Sequence, residues 1–227
     1  MKHIRTAGMA LMVVLALSSI ASATASASVK PQFLPEATAK VPIVFTDKSG
    51  ISHFEIKGGS VVTCQKDTST GEVLGLKLGE FDILFLECES LGIACTGLAD
   101  TVSGSILVLG EFHVWYVLLS TKLQTGIAFL LKEVHFECGK ILLVIRGCMA
   151  GLVKPLNKKT NSLITELKQE KGVNDITQVL NEEEKLIGCK LETSINSGVF
   201  EPTGAETVEE MVEFKQNGKA IEVEIMA

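Results

Sequence analysis

Among the side chains able to move a proton or hold a metal, His135 and Glu137 come first: two residues apart on a strand, they share a face. Val134, Phe136 and Cys138 take the opposite face, so a strand here is apolar within and presents the His–Glu pair outward. His113 sits in the same setting between Phe112 and Val114. On adjacent strands, His113 and His135 with Glu137 would form a metal or acid–base site; the plainer reading, and the one preferred, is a solvent-facing polar pair. Trp115-Tyr116 could stack a sugar or a peptide, but within VWYVLL they read as core or barrel wall. Ser60 follows Gly58-Gly59 yet lacks the trailing glycine and the strand-to-helix setting of a nucleophile turn. Glu182, Glu183 and Glu184 lack the alternating order of a calcium loop and read as a solvated loop. No phosphate loop, dinucleotide glycine motif or metalloprotease motif is found. No catalytic, cofactor-binding or metal-ligating residue is therefore assigned, and no cofactor is expected.

The chemistry of the six cysteines, Cys64, Cys88, Cys95, Cys138, Cys148 and Cys189, depends on compartment. The N-terminus supplies one. Lys2 and Arg5 precede an apolar run over residues 7–20, then the small-residue sites Ala21-Ser22-Ala23 and Ala25-Ser26-Ala27. That order is a secretory signal peptide, and its apolar run is well short of the roughly 20 residues a spanning helix needs. Cleavage is expected after Ala27, with Ala23 as the alternative. The chain then divides into a signal helix (1–27), an extended and partly mobile leader (28–42) and a single β-rich domain (43–227). Losing Lys2 and Arg5 takes the formal charge from −6 to −8, which disfavours nucleic acid and anionic membrane as partners. An even cysteine count in an oxidising compartment favours three disulfides, and the absence of C-x-x-C disfavours zinc. Spacing makes Cys88–Cys95 a short clip and Cys64–Cys138 a staple between distant strands, leaving Cys148–Cys189 by elimination; many other pairings stay open.

The elements that would position these residues are strands. Residues 43–45, 54–56, 60–64 and 81–88 are β-branched or aromatic runs, with Gly58-Gly59 as a turn or bulge and residues 67–71 as a polar hairpin loop. Further runs cover 101–109, 112–119, 125–131, 134–138 and 141–145, broken at Gly110, Ser120-Thr121, Lys132-Glu133 and Gly139-Lys140. Turn signals at this spacing indicate an all-β fold, an antiparallel sandwich or a closed barrel of roughly ten or more strands. Consecutive apolar residues in 106–109, 114–119 and 141–145 indicate strands covered on both faces or the inner wall of a barrel. Two glycines, Glu111 and His113 argue against a membrane span over 102–119. Residues 160–168 read as a strand. Residues 174–186 read as a capped helix or equally as an extended segment and a polar loop. Strands follow over 185–193 and 209–214, Gln216-Asn217-Gly218 is a hairpin signal, and 220–225 is a half-exposed terminal strand.

Taken in order, several short segments resemble a set of uncharacterised secreted proteins from Actinobacteria. They are Gly58-Gly59-Ser60-Val61-Val62-Thr63-Cys64, Gly71, Cys88, Cys95, Gly104, Val134-His135-Phe136-Glu137-Cys138, Arg146-Gly147, Pro155-Leu156-Asn157, Glu201-Pro202-x-Gly204 and Ile221-Glu222-Val223. The resemblance covers most of the mature domain and implies an exported β-rich domain, with no catalytic residues to carry over. The chain departs from that pattern at Cys148 and Cys189, which implies an added bridge between them.

The expected function is that of an exported, non-catalytic β domain with an envelope or extracellular binding or structural role. No stable membrane span is expected once the signal is removed. One alternative is a β-barrel carrier of a small apolar ligand, recognisable by a lined interior cavity. The other is a secreted hydrolase built from His113, His135 and Glu137, recognisable by their convergence.

Overall fold

The computed structural model describes residues 30–56 and 59–227; the signal segment lies outside them. Eighteen strands and no helix occur among the described residues. In chain order they are β1 (Gln32–Leu34), β2 (Ile43–Ser49), β3 (Ser52–Ile56), β4 (Val61–Cys64), β5 (Lys66–Val73), β6 (Leu78–Leu86), β7 (Glu89–Ser90), β8 (Ile93–Gly97) and β9 (Ile106–Leu119). They continue with β10 (Lys122–Cys138), β11 (Ile141–Lys154), β12 (Ser162–Leu167), β13 (Gln178–Leu180), β14 (Leu186–Gly188), β15 (Leu191–Ile195), β16 (Glu201–Gln216), β17 (Lys219–Ala220) and β18 (Glu224–Met226).

The pairings close on themselves. β2 pairs β5, β5 pairs β6, β6 pairs β9, β9 pairs β10, β10 pairs β11, β11 pairs β12, β12 pairs β16, and β16 returns to β2, every pair antiparallel. Closure removes the sheet edges that would otherwise offer unpaired backbone groups. A second circuit joins the other halves of β16, β11 and β10 through β3, β4, β7, β8 and β15. Three long strands therefore run through both circuits. A register shift between Leu131 and Val134 marks the passage in β10, so Lys132-Glu133 is a bulge inside one strand and not a break between two. Gly110 likewise lies within β9.

Aromatic rings pack the interior. Nine of the ten phenylalanines are buried, and their rings meet edge-on or tilted in the pairs Phe45–Phe112, Phe81–Phe129, Phe54–Phe85 and Phe45–Phe214. Glycines on the wall make room for them: a Cβ on Gly71, Gly79 or Gly110 would collide with the ring of Phe45, Phe112 or Phe81 respectively. Glycine under a cross-strand aromatic ring lets a strand bend sharply while the ring covers the exposed backbone, which suits a closing sheet.

This packing explains the polar stretch 67–71, which is strand β5 and not a loop. Its residues alternate in burial, with Asp67, Ser69 and Gly71 turned inward, so a period of two decides where composition misled. Residues 32–34 also depart from a mobile leader. They pair with the C-terminal strand β18, Phe33 is fully buried against Phe214, and Val223 and Ile225 are buried with it. Of the two readings of residues 174–186, the extended one holds: β13 and β14 flank a turn. That hairpin and the segment before it cover the outer face of the barrel wall. Trp115, Val117, Ala128 and Ala150 pack there against Ile176, Val179 and Cys189, separately from the interior core. Two covered faces are why β9 carries apolar residues consecutively.

Candidate functional site

All six cysteines are paired, but two of the three bridges differ from the spacing argument. The bonds are Cys64–Cys88, Cys95–Cys138 and Cys148–Cys189. Cys88 and Cys95 do lie close, since the Cys95 N–H donates to the Cys88 carbonyl at 2.8 Å. Each nonetheless bonds to the strand on its far side. Cys95 is directly opposite Cys138 in the β8–β10 register, and the β4–β7 pairing of Thr63 with Glu89 sets Cys64 opposite Cys88. Both bridges clamp neighbouring strands of the second circuit.

The polar residues singled out above do not converge. His113 is opposite Ala128 on β10, whereas His135 lies seven residues further along that strand, roughly 20 Å away. His135 faces outward and pairs with Glu133 at 2.8 Å, not with Glu137. Among the described residues no group of three His, Cys, Asp or Glu side chains is placed to hold a metal. Ser60 is exposed beside a turn. The three glutamates have separate partners: Glu184 bonds Lys30, Glu183 bonds Lys185, and Glu182 stands 3.9 Å from His113.

What does converge is a cleft of about 430 Å3 beside Trp115. It opens where the edge of β9 changes partner. β6 accompanies that edge as far as the Leu78–His113 pair, and β13 takes over at Leu180–Tyr116. Between them the Val114 N–H donates to the Lys77 carbonyl at 2.8 Å. Trp115, Tyr116, Leu123 and Leu180 border the cleft on its apolar side. Lys30, Lys77, Asn181 and Glu184 supply the polar rim. Under the rim His113 stacks on Trp115, ring centroids 4.3 Å apart. Burial pushes the His113 imidazolium toward its neutral form, against the pull of the Glu182 and Glu111 charges. The Trp115 Nε1–H and His113 Nδ1 are buried without a hydrogen-bond partner among the described residues. Trp115-Tyr116 thus serve as wall, as their apolar surroundings predicted, but the wall borders an opening. Lys30, Lys77 and Asn181 carry no motif and reach the site only through strand order.

A second polar group lies inside the barrel. Asp47 on β2, Asp67 on β5 and Glu209 on β16 turn inward and are all but inaccessible. The Ser49 hydroxyl donates to Asp67 Oδ2, and the Ser52 hydroxyl donates to Thr207 at 2.9 Å. Asp47 and Glu209 face each other closely enough for one carboxyl to donate to the other when protonated. Asp67 Oδ1 and Glu209 Oε2 have no hydrogen-bond partner among the described residues. No lysine or arginine among the described residues neutralises the group, and burial raises all three carboxyls above their ordinary range. The alternation of β2 and β16 gives a sign of this, since Asp47 follows Phe45 and Glu209 precedes Met211 on the inward face.

No protein-family model matches the chain, and none of the curated proteins or solved structures compared with it is similar.

Proposed function

We propose that the protein is exported and acts outside the cytoplasm as a disulfide-braced binding domain without catalytic chemistry, with the Trp115 cleft as its binding surface. The observation that carries the export reading is the pairing of all six cysteines into three bridges within one closed fold. The signal-like N-terminus and the resemblance to secreted actinobacterial proteins support it. No helix among the described residues is long and apolar enough to cross a membrane. The binding role is assigned to the cleft because it borders the single tryptophan at the barrel wall, whereas the phenylalanine rings packed in the interior speak against an interior carrier. The hydrolase alternative loses its motivation with the separation of His113 from His135.

The test is expression of the full chain in a secretion-competent bacterium, followed by fractionation and N-terminal sequencing. The expected product is found outside the cytoplasm and begins after Ala27 or Ala23. Cytoplasmic protein that keeps Met1 would overturn the export reading.

A further inference from the structure

We infer that the cleft beside Trp115 takes a small apolar acid: a compact hydrophobic body carrying one carboxylate or sulfonate. The inference rests on the cleft being a binding surface, and it adds the chemistry of what is bound.

Three features of the site select this class. The first is shape and lining. Tyr116, Leu123 and Leu180, with Trp115 behind them, border an open space of about 430 Å3, large enough for a molecule of one or two rings. The second is charge. Lys30 is held by Glu184 at 2.5 Å, whereas Lys77 makes no ion pair among the described residues. The rim therefore carries one positive charge in excess. Lys77 acts on Glu184 only from further off, so a neutral apolar ligand would cover its ammonium without a close partner and a cationic one would meet two lysines; an anion pairs Lys77 directly and leaves the Lys30–Glu184 pair in place. The third is the character of the aromatic wall. A sugar platform needs an open ring face, but Trp115 is only 7 % exposed and one face is stacked on His113. The Trp115 Nε1–H is buried without a partner among the described residues, so the indole is a polar as well as an aromatic neighbour of the cleft.

The chain has a single tryptophan, so its spectrum contains one indole N–H resonance, and that resonance reports on the cleft. The full secreted protein, labelled with 15N, is titrated with 1-naphthoate and separately with 1-naphthylmethanol, which has the same rings and no charge. The expected result is a saturable shift of the indole resonance with the acid and binding about tenfold weaker with the alcohol. Lys77→Met should weaken the acid about tenfold and leave the alcohol unchanged. Leu123→Glu, at a half-exposed position of the wall, should abolish acid binding in a chain whose interior is untouched. Equal binding of acid and alcohol, or acid binding indifferent to both substitutions, overturns the inference and leaves the cleft as an apolar site. No shift with either compound at millimolar concentration removes the binding surface as well.

Discussion

Denaturation at a series of pH values should find this domain most stable in mild acid and progressively weaker from about pH 4 to beyond pH 6. The cause is the carboxyl group of three inside the barrel. Asp47 rises from 3.8 to about 6, first because burial penalises its charge and then because Asp67 adds repulsion; bonds with Glu209, the Lys48 N–H and Ser69 pull the other way. Glu209 is raised well above its ordinary range by burial, then by the charges of Asp47 and Asp67. Asp67 is raised by burial against the bond from Ser49. In the unfolded chain all three return to ordinary values. Below about pH 4 folded and unfolded chains are both protonated, and the stabilising effect is complete. As pH rises, the unfolded chain releases its protons first, so stability falls until the folded carboxyls ionise too. For Asp47 the rise from 3.8 to about 6 corresponds to about 3 kcal/mol. His113 acts in the opposite sense. Its lowered folded pKa gives a contribution present above its ordinary 6.5 and lost as pH falls. Substitution separates the two. Glu209→Gln should flatten the acid-to-neutral slope and leave the variant more stable than the parent at pH 8. A parent protein equally stable from pH 4 to pH 8, or a variant weakened at pH 8, contradicts the assignment.

The second large effect is expected on removing a cross-strand bridge. Cys95–Cys138 closes 43 residues and Cys64–Cys88 closes 24. Chain-entropy arithmetic gives about 4 and about 3.5 kcal/mol respectively, both a large fraction of a domain's total stability. Replacing Cys95 and Cys138 together by alanine should lower the unfolding free energy by about that amount in chemical denaturation. The loss should be felt first where β8 meets β10, because only three residue pairs join those strands there. Hydrogen exchange should then quicken in β7 and β8 while β9 and the first half of β10 keep their protection. A loss below about 1 kcal/mol, with exchange unchanged, shows that the strands hold without the clamp.

The all-β class was legible because turn residues recur at strand spacing and because Asn217-Gly218 and Gly139 take the positive φ their turns require. The doubly covered strands were legible too: Val114 lies in the interior core and Trp115 and Val117 in the outer layer. The cysteine partners were not. Cys88 and Cys95 are near in sequence and in space, but each takes its partner from the next strand outward, and strand order is a property of the whole sheet. Residues 67–71 misled for a different reason. Their composition is that of a turn, but the interior at that level is polar, so Asp67 and Ser69 meet Asp47 and Glu209 instead of an apolar core. The cleft was half visible, in Trp115-Tyr116. Its cations come from chain ends of unrelated strands, which periodicity does not bring together.

A closed barrel clamped between neighbouring strands by three disulfides is the central claim. Proteolysis without reductant, applied to protein recovered outside the cytoplasm, and mass spectrometry of the linked peptides test it in one measurement. The predicted links are Cys64–Cys88, Cys95–Cys138 and Cys148–Cys189. Free thiols in the native protein, or a Cys88–Cys95 link, would contradict both the strand order and the bracing it provides.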